Sequence, residues 1–114
     1  MTEEQLINNK LILEFLGRQG KVNKSLYTFK ELFDLVEDIW ISVEDTKFHS
    51  DWNWLMLSYN KARLYLNTIS IIKNEEGFII IDLLQRAIKV VDMKKTYYYL
   101  IEFIEWYNLK KKNI

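Results

Sequence analysis

His49 is the only histidine in the chain, and with Asp45, Ser50 and Asp51 beside it this is the nearest approach to a catalytic set. A hydrolytic triad needs an imidazole to take the nucleophile's proton and a carboxylate to orient the ring, brought together in space. Ser50 and Asp51 instead precede a helically spaced apolar run. There such side chains accept from a free backbone N–H and cap the helix. A structural or incidental role for His49 is therefore expected. The absence of cysteine excludes disulfides, thiolate metal ligation and a cysteine nucleophile. Glu102 and Glu105 stand one turn apart, but the histidine that joins such carboxylates in helical di-metal sites is missing. Gly17-Arg-Gln-Gly20 lacks the Lys-Ser/Thr of a phosphate-binding loop. The expectation is no catalytic residue, no metal, no cofactor and no enzymatic activity.

Chemistry of recognition is better represented. The formal net charge is zero, yet residues 1–57 hold ten acids against six bases, and residues 58–114 six acids against ten bases. A general nucleic-acid binder carries a basic excess to neutralise phosphates; here it is missing overall. Glu31, Asp34, Glu37 and Asp38 recur at helical spacing, and such a row of carboxylates suits a basic groove on a partner. The ordinary account of that row is a solvated helix face. Arg18, Lys21 and Lys24, and the run Lys110–Lys112, are the cationic counterparts that direct nucleic-acid binding would use. Two aromatic clusters, Asp51–Met56 and Thr96–Asn108, hold three of the four tryptophans and four of the seven tyrosines. Most of these rings fit core periodicity. Trp54 and Tyr98 fall off the core stripes and are candidate anchors for a partner, since Trp and Tyr dominate interface hot spots.

The elements that must position these residues are mainly helical, in one domain spanning 1–114. Thr2-Glu-Glu-Gln5 is a capping box opening a helix that ends near Gly17, with stripes Leu6/Leu13/Leu16 and Ile7/Leu11/Phe15. Gly17–Tyr27 reads as a basic, exposed loop. Thr28-Phe-Lys-Glu31 opens a second helix, with Phe29, Leu32, Phe33, Val36, Ile39, Trp40 and Val43 on one face. A third helix runs from Ser50 or Asp51 to about Asn67, with Trp52, Leu55, Tyr59, Ala62 and Leu66 inward. Thr68–Lys73 and Phe78–Asp82 are β-branched runs flanking Asn-Glu-Glu-Gly, which predicts a short β-hairpin around 68–82 and then a short helix. The competing reading continues helix through Phe78–Val90. Asp92 caps the last helix, apolar around most of its circumference, with Tyr98, Glu102, Glu105 and Leu109 as an outer strip. Trp52, Phe103 and Ile104 are expected to be buried.

The chain favours Ile, Lys and Asn, with two Ala, three Arg and no Pro; this bias reports an AT-rich genome. No apolar run approaches the ~20 residues that span a bilayer, and the acidic N-terminus is unlike a targeting peptide. A cytoplasmic protein without membrane association is expected.

The blocks NNKLILEFLG (Asn8–Gly17), KFHSDWNWLM (Lys47–Met56) and LIEFIEWYN (Leu100–Asn108) resemble a group of small proteins from phages, prophages and neighbouring genomes of AT-rich Bacteroidetes-type bacteria. The chain departs from that pattern at Phe48, where the group has tyrosine, at Leu57–Lys61 and through the middle segment. The resemblance brings no activity and no functional residue. It implies a mobile-element setting, where small non-enzymatic proteins include anti-CRISPR inhibitors, among them inhibitors of RNA-targeting type VI effectors. The leading expectation is thus a protein-binding inhibitor of a host RNA-guided nuclease, using Glu31, Asp34, Glu37, Asp38, Trp54 and Tyr98. The alternatives are a nucleic-acid-binding accessory protein of a phage and a structural homo-oligomer.

Overall fold

Thr2 opens the first helix as its sequence predicts. Its hydroxyl accepts from the Gln5 N–H at 3.1 Å, and the Gln5 side chain accepts from the Thr2 N–H at 3.0 Å. The computed structural model describes residues 1–16, 26–28, 40–68 and 75–112, which fall into two compact units, Met1–Phe48 and His49–Ile114.

In the first unit, α1 (Glu3–Phe15) buries Asn9, Ile12, Leu13 and Phe15, with Leu16 at its C-cap also buried. Asn9, Ile12, Leu13 and Leu16 are spaced i, i+3, i+4, i+7, and Leu13 and Leu16 of the first expected stripe and Phe15 of the second share that buried side. Ile7, assigned to the second stripe, is 62% exposed. The buried side contains a polar residue because Asn9 has a buried partner. Its Nδ2 donates to Thr46 Oγ1 at 2.8 Å, and that hydroxyl donates to the Val43 carbonyl at 2.6 Å. Leu26–Thr28 (β1) pairs antiparallel with Trp40–Ser42 (β2), Tyr27 opposite Ile41, and a 3₁₀ turn follows at Val43–Asp45. The expected second helix is therefore wrong at both ends. Thr28 lies in a strand, as do Leu26 and Tyr27 from the expected loop, and Trp40 and Ile41 adopt the extended form that aromatic and β-branched residues favour. Residues 29–39, with Glu31, Asp34, Glu37 and Asp38, lie outside the described residues.

The second unit is three helices: α2 (Trp52–Thr68), α3 (Glu75–Lys89) and α4 (Met93–Lys112). Asp51 caps α2 by accepting from the Asn53 N–H at 2.8 Å, and Asp92 caps α4 by accepting from the Lys95 N–H at 3.0 Å. The mainly helical reading stands, but the hairpin around 68–82 does not form. Thr68 ends α2, residues 75–82 belong to α3, and 69–74 lie outside the described residues. Physical logic favours the helix. Glu75 and Glu76 face its positive N-terminus, Arg86 and Lys89 its negative end. Gly77, Ile81, Leu84 and Ala87 are its buried stripe. Gly77 misled because it resembles a turn glycine; it serves instead as a contact point. A Cβ there would lie 2.7 Å from Trp106 Cζ3, closer still to Cη2, and 2.9 Å from Leu66 Cδ1.

Core positions of the unit are Leu55, Ala62 and Leu66 from α2, Ile81 and Leu84 from α3, and Leu100, Phe103, Ile104 and Trp106 from α4. Tyr65 stacks on Tyr107 with ring centroids 4.9 Å apart, joining α2 to α4. Trp52, expected in the core, is only half-buried because it opens α2, where one side of the helix has no preceding turn. Between α3 and α4 the chain turns at Val90–Asp92. The Val91 N–H donates to Ile88 O at 3.0 Å and the Asp92 N–H to Ala87 O at 2.9 Å. This Schellman-type closure places its αL position at Val91, with φ 56°.

Candidate partner-binding surface

Tyr59, Arg63 and Leu66 repeat at i, i+4, i+7 on α2, so one side of that helix presents all three. Phe78, Asp82, Gln85 and Lys89 repeat similarly on α3. The two rows line a groove with two lobes that share Asp82 and Gln85. One, of about 330 Å³, has Leu66, Ile81 and Phe78 as apolar walls and Arg63 at its edge. The other, of about 460 Å³, is bounded by Tyr59, Arg86, Ile88 and Lys89. Gln85 Nε2 donates to the Tyr59 hydroxyl at 2.9 Å, bridging the helices. The Arg63 guanidinium lies 5.8 Å from the Tyr59 ring centroid, and Arg86 pairs with Asp82 at 3.0 Å. That ion pair is largely exposed, so it orients Arg86 more than it stabilises the fold. The lining holds three cations, Arg63, Arg86 and Lys89, against one carboxylate, Asp82.

Phe78, a wall of the smaller lobe, is 55% exposed, and Ile79 and Leu64 are further exposed large apolar side chains on α3 and α2. Leu64 falls off the core stripe of its helix by spacing alone, whereas Phe78 and Ile79 were expected in a strand. The available signal for the groove was arginine usage: a chain with 13 Lys spends two of its three Arg, 63 and 86, on this groove.

The residues singled out by sequence are distributed differently. Tyr98 is exposed on α4. A hydrogen bond to the Glu102 carboxylate, reinforced by its charge, holds the phenol above its usual range. Glu105 and Leu109 continue that strip outward. Trp54 lies on α2, half-buried, its carbonyl accepting from the buried Ser58 hydroxyl at 3.2 Å. Glu31, Asp34, Glu37 and Asp38 lie outside the described residues. His49 sits edge-on to Tyr97, ring centroids 6.5 Å apart, and burial lowers its pKa. Among the described residues no three His, Cys, Asp or Glu converge to hold a metal ion, and no helix is long and apolar enough to cross a membrane. Comparison with protein-family models, curated proteins and solved structures finds no match to this chain.

Proposed function

We propose that this chain is a non-catalytic protein-binding inhibitor from a mobile element, acting in the cytoplasm on a host RNA-guided nuclease. The observation that supports it best is solvent-facing Phe78 in a charged groove lined by α2 and α3, with Leu64 and Ile79 exposed on the same two helices. Exposed apolar groups on rigid elements supply binding energy with little ordering entropy to lose. The nuclease target follows from the mobile-element resemblance and from the acidic row, whose charge suits a groove built to hold RNA.

The test is affinity capture by the full chain from a host lysate, with and without RNase, followed by cleavage assays with the captured nuclease. Retention of a nuclease after RNase and dose-dependent loss of its cleavage are expected. Capture that disappears with RNase would sink the reading and favour nucleic-acid binding. Reversing Glu31 and Asp34 to Lys should weaken nuclease capture, most at low salt, if the acidic row docks on the target.

A further inference from the structure

Arginine differs from lysine in presenting a planar, always-charged fork that stacks on rings and grips carboxylates. In a chain that otherwise prefers lysine, its placement at both Arg63 and Arg86 marks the α2–α3 groove. The smaller lobe offers an aliphatic floor, Leu66 and Ile81, and one aromatic wall, Phe78. That space suits a single bulky apolar side chain. With Arg86 paired to Asp82 at 3.0 Å, Arg63 and Lys89 are the lining cations left to favour an anion. Two anionic macromolecules meet the charge requirement, and the remaining features separate them. Single-stranded nucleic acid is held by successive aromatic faces along a cationic track. In this groove the Tyr59 ring already carries the Arg63 guanidinium over it, which leaves Phe78 as the open aromatic face beside the aliphatic Leu66, Ile81 and Ile88, so the lining offers no succession of bare rings.

We infer that the α2–α3 groove binds an acidic peptide segment of a partner protein. An apolar residue of that segment enters the Leu66/Ile81/Phe78 lobe, and its carboxylates face Arg63 and Lys89. The inference rests on the protein-binding reading above and gives one surface of that protein a defined partner chemistry. It draws on none of Glu31, Asp34, Glu37 and Asp38.

The test is a selection of random 12-residue peptides on the full chain, followed by titration of the enriched peptides. Two exposed-site variants serve as probes: Arg63→Glu/Lys89→Glu and Phe78→Ser, both checked for unchanged helicity and melting. Expected are peptides of net negative charge with one Leu, Phe or Trp. The double reversal should weaken them at least tenfold and steeply with salt, and Phe78→Ser severalfold without added salt dependence. Neutral or basic peptides, equal binding by the variants, or no enrichment would each overturn the inference. Displacement of the peptides by a poly-uridine strand that binds the wild type equally well would do the same. Sedimentation of the chain alone is expected to show a monomer; a dimer that the double reversal dissolves would assign the groove to a second copy and refute the proposal. If lysate capture succeeds while these variants capture the same target equally, the groove assignment fails and the broader reading survives.

Discussion

Adding one methyl group at Gly77 should measurably unsettle the helical unit. The new Cβ would meet Trp106 Cζ3 at 2.7 Å and Leu66 Cδ1 at 2.9 Å, with Trp106 Cη2 nearer still. Carbon atoms rest at about 3.5–4.0 Å, so the neighbours must retreat by about 1 Å. Trp106 has little room to do so: its ring is buried and lies 5.4 Å from the Phe103 ring. Forced methylenes in a packed core cost about 1–3 kcal/mol, whereas Gly→Ala inside a helix returns up to ~1 kcal/mol. Near the start of α3 that return is smaller. Gly77→Ala is thus expected to destabilise by about 1–2 kcal/mol, a fall of roughly 4–10 °C in Tm. Urea unfolding and thermal melts of the full chain measure this, with exposed Glu76→Ala as the same-turn control. The cause is isolated by a cycle with Trp106→Leu. That variant is itself destabilised, but it should accept the added methyl group with a coupling energy of at least ~1 kcal/mol. A Gly77→Ala protein as stable as wild type, or a cycle without coupling, would refute the close approach of α3 to α4.

Val91→Gly should act in the opposite direction. Val91 holds φ 56° while 71% exposed, so glycine removes strain of about 1–2 kcal/mol and loses little packing. A net gain of about 1 kcal/mol is expected in urea unfolding, and a lower midpoint would contradict the strained corner. Asn9→Ala should destabilise by about 1–3 kcal/mol, since it empties a buried site and removes the donor to Thr46; an unchanged melt would show that the polar pair contributes nothing. His49 has a folded pKa below its ordinary 6.5 because burial disfavours the charged ring. The unfolded state therefore binds more protons, so this contribution is full above about pH 6.5 and is lost as pH falls through the folded pKa. Wild type should lose more Tm than His49→Gln between pH 7.5 and 5, and parallel losses would exclude the effect. His49→Ala should also retain partner capture, and its failure with the fold intact would reopen a catalytic role.

The features written in local sequence were legible: the capping box at Thr2, the caps at Asp51 and Asp92, and the outer strip of α4 all depend on residues within a few positions of one another. Failures came where a distant partner decides. Gly77 reads as a turn residue until Trp106, far along the chain, is set against it. Asn9 reads as polar surface until Thr46 satisfies it in the interior. Trp40–Ser42 fits a helical stripe by spacing, yet its pairing with Leu26–Thr28 fixes it as strand. Groove residues were hidden for a related reason. Arg63 and Phe78 sit on separate helices whose faces meet only after packing, so no spacing rule links them.

That dependence on packing joins the core to the proposed binding surface. Gly77 sets how near α3 lies to α4, and the next residue, Phe78, forms a wall of the smaller lobe. Leu66 takes part in both: one of its methyl groups bounds the space at Gly77, and the residue also lines the groove. A displacement of α3 by about 1 Å, the amount that a methyl group at Gly77 requires, moves Phe78, Asp82 and Gln85 together relative to Arg63 and Tyr59. The hydrogen bond from Gln85 to Tyr59, now 2.9 Å, has little slack before it weakens. Gly77→Ala should therefore weaken acidic-peptide binding under conditions where the protein remains fully folded, although residue 77 is buried and touches no partner. Adding Trp106→Leu to that variant should relieve the crowding and recover affinity along with the coupling energy. Recovered coupling without recovered affinity would show that the groove does not depend on the spacing of α3 from α4.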